Sequence, residues 1–266
     1  MRNIFERRRC VVFVKITFGV ILKTEILKGQ IEMKMTLAIC KVEAELGNAE
    51  AQFKLGACYY DGCCVEKDKA EAVKWLRNAA EQGYDDAQYN LGLCYDEGNG
   101  VEKDEAEAAK WYRKATEQGH DNAQYNLGLC YFNGEGVKKN KAEAVKWYRK
   151  AAEQGLVDAQ HNLGVCHYFG DGVKKDYAEA VKWLRKAVEQ EFAKAQRFLG
   201  LCYYFGDGVK KDYAEAVKWF RKAAEQGDAE AKEMLQRIEN KKLARLRASH
   251  PYAKEILQLL ENEKNR

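Results

Sequence analysis

The chain is poor in the residues on which hydrolytic enzymes depend. Its 266 residues include four histidines, one proline and one serine, Ser249. A serine acylase of the Ser-x-x-Lys type needs a lysine three positions after its nucleophile, but Ser249 is followed by His250, Pro251 and Tyr252. A hydrolytic zinc site needs clustered histidines with an acid. We find no catalytic constellation and predict neither an enzyme nor a cofactor.

A large charge of one sign is also missing. The chain has 45 lysines and arginines against 41 acidic residues, a net charge of +4 at pH 7. Bulk electrostatics therefore do not predict a nucleic-acid partner. Hydrophobic residues make up 46% and charged residues 32% of the chain, which is typical of a soluble globular protein.

The N-terminal segment resembles the outline of a signal peptide. Arginines within residues 2–9 precede an apolar run over residues 10–22. Lys15 interrupts the run, no small-x-small cleavage site follows it, and it is shorter than the roughly 20 residues of a membrane span. A leader, an anchor, a poorly ordered extension and a later start at Met33 or Met35 all stay open. We favour a cytoplasmic protein, with export as the alternative.

All five tryptophans of the chain lie 36 residues apart. A fixed period of this size is typical of a solenoid in which one helical hairpin is copied and stacked. We therefore predict an all-α, right-handed superhelical solenoid of antiparallel helix pairs. The tryptophans are Trp75, Trp111, Trp147, Trp183 and Trp219.

The first helix of each unit is predicted from about Ala49 to Tyr60 in the first copy. A recurrent Leu-Gly pair lies inside it. A mid-helix glycine such as Gly56 costs about 1 kcal/mol relative to alanine, so we predict that a neighbouring helix approaches closely there. Gly-x-Gly loops follow, and their glycines supply positive φ. These loops follow a helix rather than a strand, so they are not phosphate cradles.

The second helix is predicted to begin at an acidic capping box. An Asp or Asn is followed three residues later by Glu, and in such a box each side chain binds the other's backbone N–H. A glycine ends the helix in four copies, and Glu191 breaks that rule. The N-caps are Asp68, Asp104, Asn140, Asp176 and Asp212.

The repeat pattern fades at both ends. We predict an N-terminal extension at 1–32, a half-repeat at 33–47, five repeats and the start of a sixth at 48–236, and C-terminal capping helices at 237–266. Atypical terminal units of this kind cap the ends of a stack.

These motifs resemble the Sel1-like repeat, a relative of the tetratricopeptide repeat with a longer loop. The resemblance rests on Leu-Gly-x-x-Tyr, Gly-x-Gly-Val, Asp-x-x-Glu-Ala and Trp-x-Arg-Lys-Ala-x-Glu-Gln-Gly over residues 48–236. It implies an adaptor whose concave face holds a peptide or partner protein. The alternative is a secreted or periplasmic hydrolase-like relative of β-lactamase type. The absence of Ser-x-x-Lys and of paired cysteines disfavours that alternative.

Five cysteines share the 36-residue period. Equivalent positions of stacked hairpins lie roughly 10 Å apart, farther than the Cα separation of about 7 Å that a disulfide tolerates. We therefore interpret them as small buried residues. Cys63 and Cys64 are adjacent in the first loop, where a local disulfide or metal site stays open. The periodic cysteines are Cys58, Cys94, Cys130, Cys166 and Cys202.

Three columns of first-helix positions vary between copies, and the resemblance implies that they face the concave side. Column one is Phe53, Tyr89, Tyr125, His161 and Arg197; column two is Tyr60, Asp96, Phe132, Tyr168 and Tyr204; column three is Asp61, Glu97, Asn133, Phe169 and Phe205. We predict that column one, the rings of column two and Phe205 bind a protein or peptide. The alternative is that several of these rings fill gaps between first helices.

The two histidines of the fourth repeat are the next feature. His161 and His167 occupy positions that are Tyr or Phe in most copies, and we interpret both as aromatic substitutions.

Lysine pairs form a basic ridge on the later loops. Contact with a membrane through this ridge is an alternative, as is contact through residues 1–32. No aromatic residues interleave with these lysines in the sequence, so RNA is not predicted. We expect a monomer. The pairs are Lys138-Lys139, Lys174-Lys175 and Lys210-Lys211.

Overall fold

The computed structural model describes residues 36–249, which form twelve α-helices and no strand. Helix α1 covers residues 36–45 within that range. The others are α2 (Ala49–Asp61), α3 (Lys69–Glu81), α4 (Asp85–Glu97), α5 (Glu105–Glu117), α6 (Asp121–Asn133), α7 (Lys141–Glu153), α8 (Val157–Phe169), α9 (Tyr177–Glu189), α10 (Ala193–Phe205), α11 (Tyr213–Glu225) and α12 (Ala229–Ser249).

The all-α architecture of repeated helix pairs is confirmed. Each helix from α2 to α11 contains 13 residues, with even-numbered first helices and odd-numbered second helices. The helices group into two compact units. The N-terminal unit runs to Ala123 and includes Glu135–Val137; the C-terminal unit contains Gln124–Gly134 and the chain from Lys138 onwards.

No helix among residues 36–249 combines the length and the apolar character that crossing a bilayer requires. The segment 1–32, the predicted leader or anchor, lies outside the described residues, as does the last predicted helix after Pro251.

The mid-helix glycines allow the two helices of a pair to touch, as predicted. A Cβ on Gly92 would lie 2.6 Å from a ring carbon of Tyr112, and one on Gly128 would lie 2.7 Å from the ring of Tyr148. The partner side chain comes from the second helix of the same repeat. We call its position the wedge. Its occupants are Leu76, Tyr112, Tyr148, Leu184 and Phe220.

A ladder of buried glutamines explains the recurrent Ala-Gln and Glu-Gln-Gly motifs. In the first repeat, Gln52 is 6% exposed, and its Nε2 donates to the carbonyl of Ala44 at 3.0 Å. Its Oε1 accepts from Nε2 of Gln82 at 2.7 Å. A buried amide is stable only when its donors and acceptors are satisfied, so the motif fixes a hydrogen bond between helix pairs.

The N-caps are confirmed, but the reciprocal capping box is wrong. The Asp68 carboxylate accepts from the Glu71 N–H at 2.9 Å. The N–H of Asp68 donates instead to the carbonyl of Tyr59 at 2.9 Å, in the last turn of α2. The Glu71 carboxylate is left to pair with Lys74 at 2.7 Å. The loop therefore returns close enough to the first helix to supply the second partner of the cap.

Glu191 adopts the left-handed conformation that glycine holds in the other copies, with φ +59° against +101° for Gly155. A side chain in this region costs about 1 kcal/mol or more. We expect Glu191→Gly to raise the free energy of unfolding by about 0.5–1 kcal/mol, because the relief of strain exceeds the added freedom of the unfolded chain. Urea denaturation measures the change.

Glu189→Gly is the matched control, because Glu189 is the last residue of α9. It should lower the free energy of unfolding by up to about 1 kcal/mol. If Glu191→Gly were as destabilising as its control, the strain at position 191 would be disproved.

The tryptophans pack into the framework. Trp111 is 5% exposed and lies in a core with Val73, Leu76 and Leu91, which belong to the preceding helices. Trp183 is 3% exposed and lies in the equivalent core with Val145. Trp111 and Trp183 thus each join their own repeat to the one before it.

Candidate partner-binding surface

Column one lies between successive first helices rather than on an open face. Four of its five side chains contact the residue 31 positions later, which precedes the next first helix. In the remaining one, the Tyr125 hydroxyl accepts a hydrogen bond from Asn162 at 3.2 Å. Phe53 packs on Tyr84 with ring centroids 5.2 Å apart, and Tyr89 stacks on His120 at 4.6 Å. Both rings are thus partly covered by packing between neighbouring first helices, as in the alternative that the sequence left open.

The last two members of column one are also packed. His161 is 9% exposed and meets the rings of Phe192 and Phe198, each at 5.4 Å. Arg197 is paired with Asp228 at 3.1 Å and with Glu230 at 2.7 Å, and its side chain is 13% exposed. These two carboxylates compensate the positive charge of Arg197.

Column two occupies the last turn of each first helix and is half-buried. The Tyr168 hydroxyl donates to Oδ2 of Asp207, in the loop of the next repeat, at 2.7 Å. Burial and this bond raise the pKa of Tyr168, so it remains a neutral donor. In repeats one and three a lysine covers the ring, with Lys69 Nζ 5.2 Å from the Tyr60 centroid and Lys141 Nζ 4.9 Å from that of Phe132.

Column three is exposed, and in the last two repeats it becomes aromatic. Phe169 and Phe205 are each 55% exposed, and Tyr213 beside them is 45% exposed. Phe169 meets Tyr168 edge-on at 5.0 Å, and Phe205 meets Tyr204 in the same geometry at 5.0 Å. Phe205, which the sequence predicts as a binding residue, is thus exposed.

These rings form two clusters on neighbouring repeats of the C-terminal unit, which we together call the aromatic patch. Tyr177 joins Tyr168 at 5.1 Å, and Phe198 lies 6.3 Å from Phe169. Edge-to-face pairs of this kind hold rings rigidly in place. The patch consists of Tyr168, Phe169, Tyr177, Phe198, Tyr204, Phe205 and Tyr213.

Sequence reasoning missed Tyr177, Phe198 and Tyr213. Two of them occupy the first position of the second helix, which varies from repeat to repeat as the three columns do. Variation between copies therefore marks these two positions as well, although the sequence prediction used it only for positions in the first helices.

The basic loops lie beside this patch. Lys175 Nζ is 5.5 Å from the ring centroid of Tyr177, and Lys211 Nζ is 5.0 Å from that of Tyr213. The inference that no aromatic residues accompany these lysines is wrong for two of the three pairs, because the second helix places Tyr177 two residues after Lys175 and Tyr213 two residues after Lys211. The surface thus combines exposed rings with positive charge.

The two histidines act as aromatic substitutions, as interpreted. The His167 Nε2 lies 3.2 Å from Arg149, the contact that the Tyr203 hydroxyl makes with Arg185 at 3.2 Å one repeat later. Burial lowers the pKa of His161 to about 4, so its ring is neutral at physiological pH. Both side chains are thus part of the packing.

The periodic cysteines are packing residues. Cys94 is 3% exposed and Cys202 is fully buried. Burial raises the pKa of Cys94 to about 11 and that of Cys202 to about 12, so both remain thiols near neutral pH. A protonated thiol is a poor nucleophile and metal ligand.

Cys63 and Cys64 are exposed free thiols in the first loop. Cys64 has φ +64°, in the place of the second loop glycine. Within residues 36–249, no three histidine, cysteine or acidic side chains are placed to hold a metal ion.

Comparison with known proteins agrees with these repeats. The Sel1 repeat family matches residues 49–84, 85–120, 121–156, 157–192 and 193–228. A protective antigen of uropathogenic Escherichia coli with a Sel1-like repeat (SLR) fold is 45% identical to this chain. The match has a TM-score of 0.73 and covers 75% of this chain. This chain spans only 43% of that protein.

A Sel1 repeat protein from Oxalobacter formigenes is 37% identical, with a TM-score of 0.70. The match covers 77% of this chain and 87% of that one. A search of curated proteins finds no match.

Proposed function

Since this chain belongs to the Sel1 repeat family, we propose that it is a non-enzymatic scaffold that binds a peptide or protein through its first-helix face. That face would be the concave one in the superhelix expected from the sequence. We place the main contact on the aromatic patch of the C-terminal unit.

The observation that carries this proposal is the exposure of Phe169 and Phe205. Large rings at protein surfaces favour partner binding, because they bury much area and lose few rotamers. Contacts with Tyr168, Phe198 and Tyr204 already hold both rings, so little further order is needed on binding. Packing within the chain leaves more than half of each ring in solvent.

The charge beside the patch indicates the chemistry of the partner. Lys174, Lys175, Lys210 and Lys211 flank the rings, and their exposed ammonium groups attract acidic side chains. A peptide with apolar anchors and nearby carboxylates therefore fits the surface.

Binding through the patch predicts a large effect of removing two rings. A peptide with apolar anchors and carboxylates, selected from a display library on the wild-type protein, is the probe, and fluorescence anisotropy gives its affinity. We expect Phe169→Ala/Phe205→Ala to weaken binding by at least about 30-fold, since each anchoring ring contributes more than 1 kcal/mol.

Asn133→Ala is the matched control, because Asn133 occupies the column-three position one repeat before Phe169. It should change the affinity by less than about twofold. If the double variant bound the peptide as the wild type does, the aromatic patch would not be the site. If single-stranded RNA bound more tightly than the peptide and depended on the same two rings, nucleic acid would replace peptide as the partner class.

A further inference from the structure

The N-terminal unit contains a cavity of about 250 Å³ between α2 and α4, distant in sequence from the aromatic patch. Known small-molecule pockets are roughly 300–1,000 Å³, so this cavity suits a single side chain. Its lining includes Phe53, Tyr60, Asp61, Leu76, Asn90 and Glu97.

The cavity exists because the wedge is small in the first repeat. In the third repeat Tyr148 holds the wedge, and its side chain lies beside Asn162. The asparagine equivalent to Asn162 in the first pair is Asn90, but the wedge there is Leu76, which has no ring or hydroxyl to offer.

The fourth repeat shows what closes such a space. Its wedge is again a leucine, Leu184, but the asparagine position is Phe198, whose ring packs on His161 and Tyr168. Among the described repeats, the combination of a leucine wedge with asparagine occurs once, at Leu76 and Asn90. The sequence thus leaves this one space unfilled.

The polar groups around the cavity are acceptors. Asp61 and Glu97 form no ion pair with any described residue, although Asn99 donates to Glu97. The Asn90 amide nitrogen donates to the carbonyl of Asp86 at 2.7 Å, and its Oδ1 has no donor among residues 36–249.

The resident cation does not neutralise these acids. Lys69 has its Nζ 5.2 Å from the Tyr60 centroid and donates to Asn99 rather than to a carboxylate. Burial, then the charge of Glu97, raises the pKa of Tyr60.

We propose that this cavity binds the side chain of an arginine from a partner protein, with the guanidinium between the rings of Phe53 and Tyr60 and the carboxylates of Asp61 and Glu97. A guanidinium is planar, stacks on aromatic faces and presents five donors to several acceptors at once. The source of the arginine rests on the proposed scaffold function; the specificity of the cavity does not.

The probe is N-acetyl-arginine methylamide at millimolar concentration, followed by ¹H–¹⁵N NMR of the full chain. We expect saturable shifts at backbone amides of α2 and α4. The citrulline analogue has nearly the same shape but no charge, and it should bind at least about tenfold more weakly, since charge-assisted bonds are the stronger kind.

Leu76→Tyr is the variant that decides the location. A tyrosine fits this position against the mid-helix glycine in the second and third repeats, so the variant should fold, and its ring fills the cavity. We expect it to abolish the arginine-dependent shifts. Asp61→Asn/Glu97→Gln keeps the cavity and should remove the preference for arginine over citrulline.

Equal binding of arginine and citrulline, or unchanged arginine binding by Leu76→Tyr, would overturn this assignment. Phe169→Ala/Phe205→Ala should bind the arginine probe as the wild type does. Failure of the arginine site and failure of the aromatic patch are thus measured separately.

Discussion

Gly172→Ala is expected to lower the free energy of unfolding by about 3 kcal/mol or more. Gly172 is the second glycine of the fourth loop and has φ +71°. A Cβ there would overlap the carbonyl of Lys141, the first residue of α7. Because that obstacle is backbone, it cannot move aside as a flexible side chain does. The loop of one repeat would lose its contact with the preceding repeat.

The matched control is Gly155→Ala, in the same unit. Gly155 also has positive φ, +101°, but a Cβ there meets no atom within 4 Å. Its replacement should cost about 1 kcal/mol, from backbone strain alone. Urea denaturation followed by circular dichroism compares the two. Equal stability of the two variants would show that the loop does not press on α7.

Tyr148→Ala is expected to lower the free energy of unfolding by about 4 kcal/mol, the cost of removing a buried aromatic side chain. Tyr148 is 1% exposed, and its ring touches Gly128 and lies 5.8 Å from Tyr125 and 6.3 Å from Phe132. The same denaturation experiment measures the loss.

Two milder substitutions separate the contributions of the Tyr148 side chain. Tyr148→Leu places in the third repeat the wedge found in the first and fourth, and it should cost about 1–2 kcal/mol. Tyr148→Phe keeps the ring and removes the hydroxyl with its polar contact to Asn162, for about 1 kcal/mol or less. If Tyr148→Phe lowered the free energy of unfolding as much as Tyr148→Ala, the assignment of Tyr148 to packing would be contradicted.

The framework was readable from the sequence because it repeats. The period of Trp75 identifies the repeat, Gly56 predicts the close helix contact, and Asp68 predicts the N-cap. Each of these depends on a local rule or on a neighbour at fixed spacing. The prediction of the second half of the capping box is wrong, because the N–H of Asp68 donates to the carbonyl of Tyr59, nine residues earlier in the first helix.

The candidate site was only partly readable. Helical spacing placed Phe53 and His161 on the partner-facing side, but whether such rings are covered depends on the residue 31 positions later, Tyr84 or Phe192. Tyr213 was not predicted as a binding residue, because every position of the second helices was assigned to packing within the repeat.

The cavity in the N-terminal unit could not be predicted from the sequence, for a related reason. Neither Leu76 nor Asn90 is unusual at its own position. The unfilled space follows from their combination across two repeats, which no single-position pattern shows.

We propose that the partner lies on the aromatic patch and not on the part of the second helices that carries Lys146. The direct test is photo-crosslinking of the display-selected peptide to full-length protein carrying benzoylphenylalanine in place of Phe205 or of Lys146, an exposed second-helix residue. We expect a covalent adduct from position 205 and none from position 146. An adduct from position 146, with none from position 205, would contradict this placement.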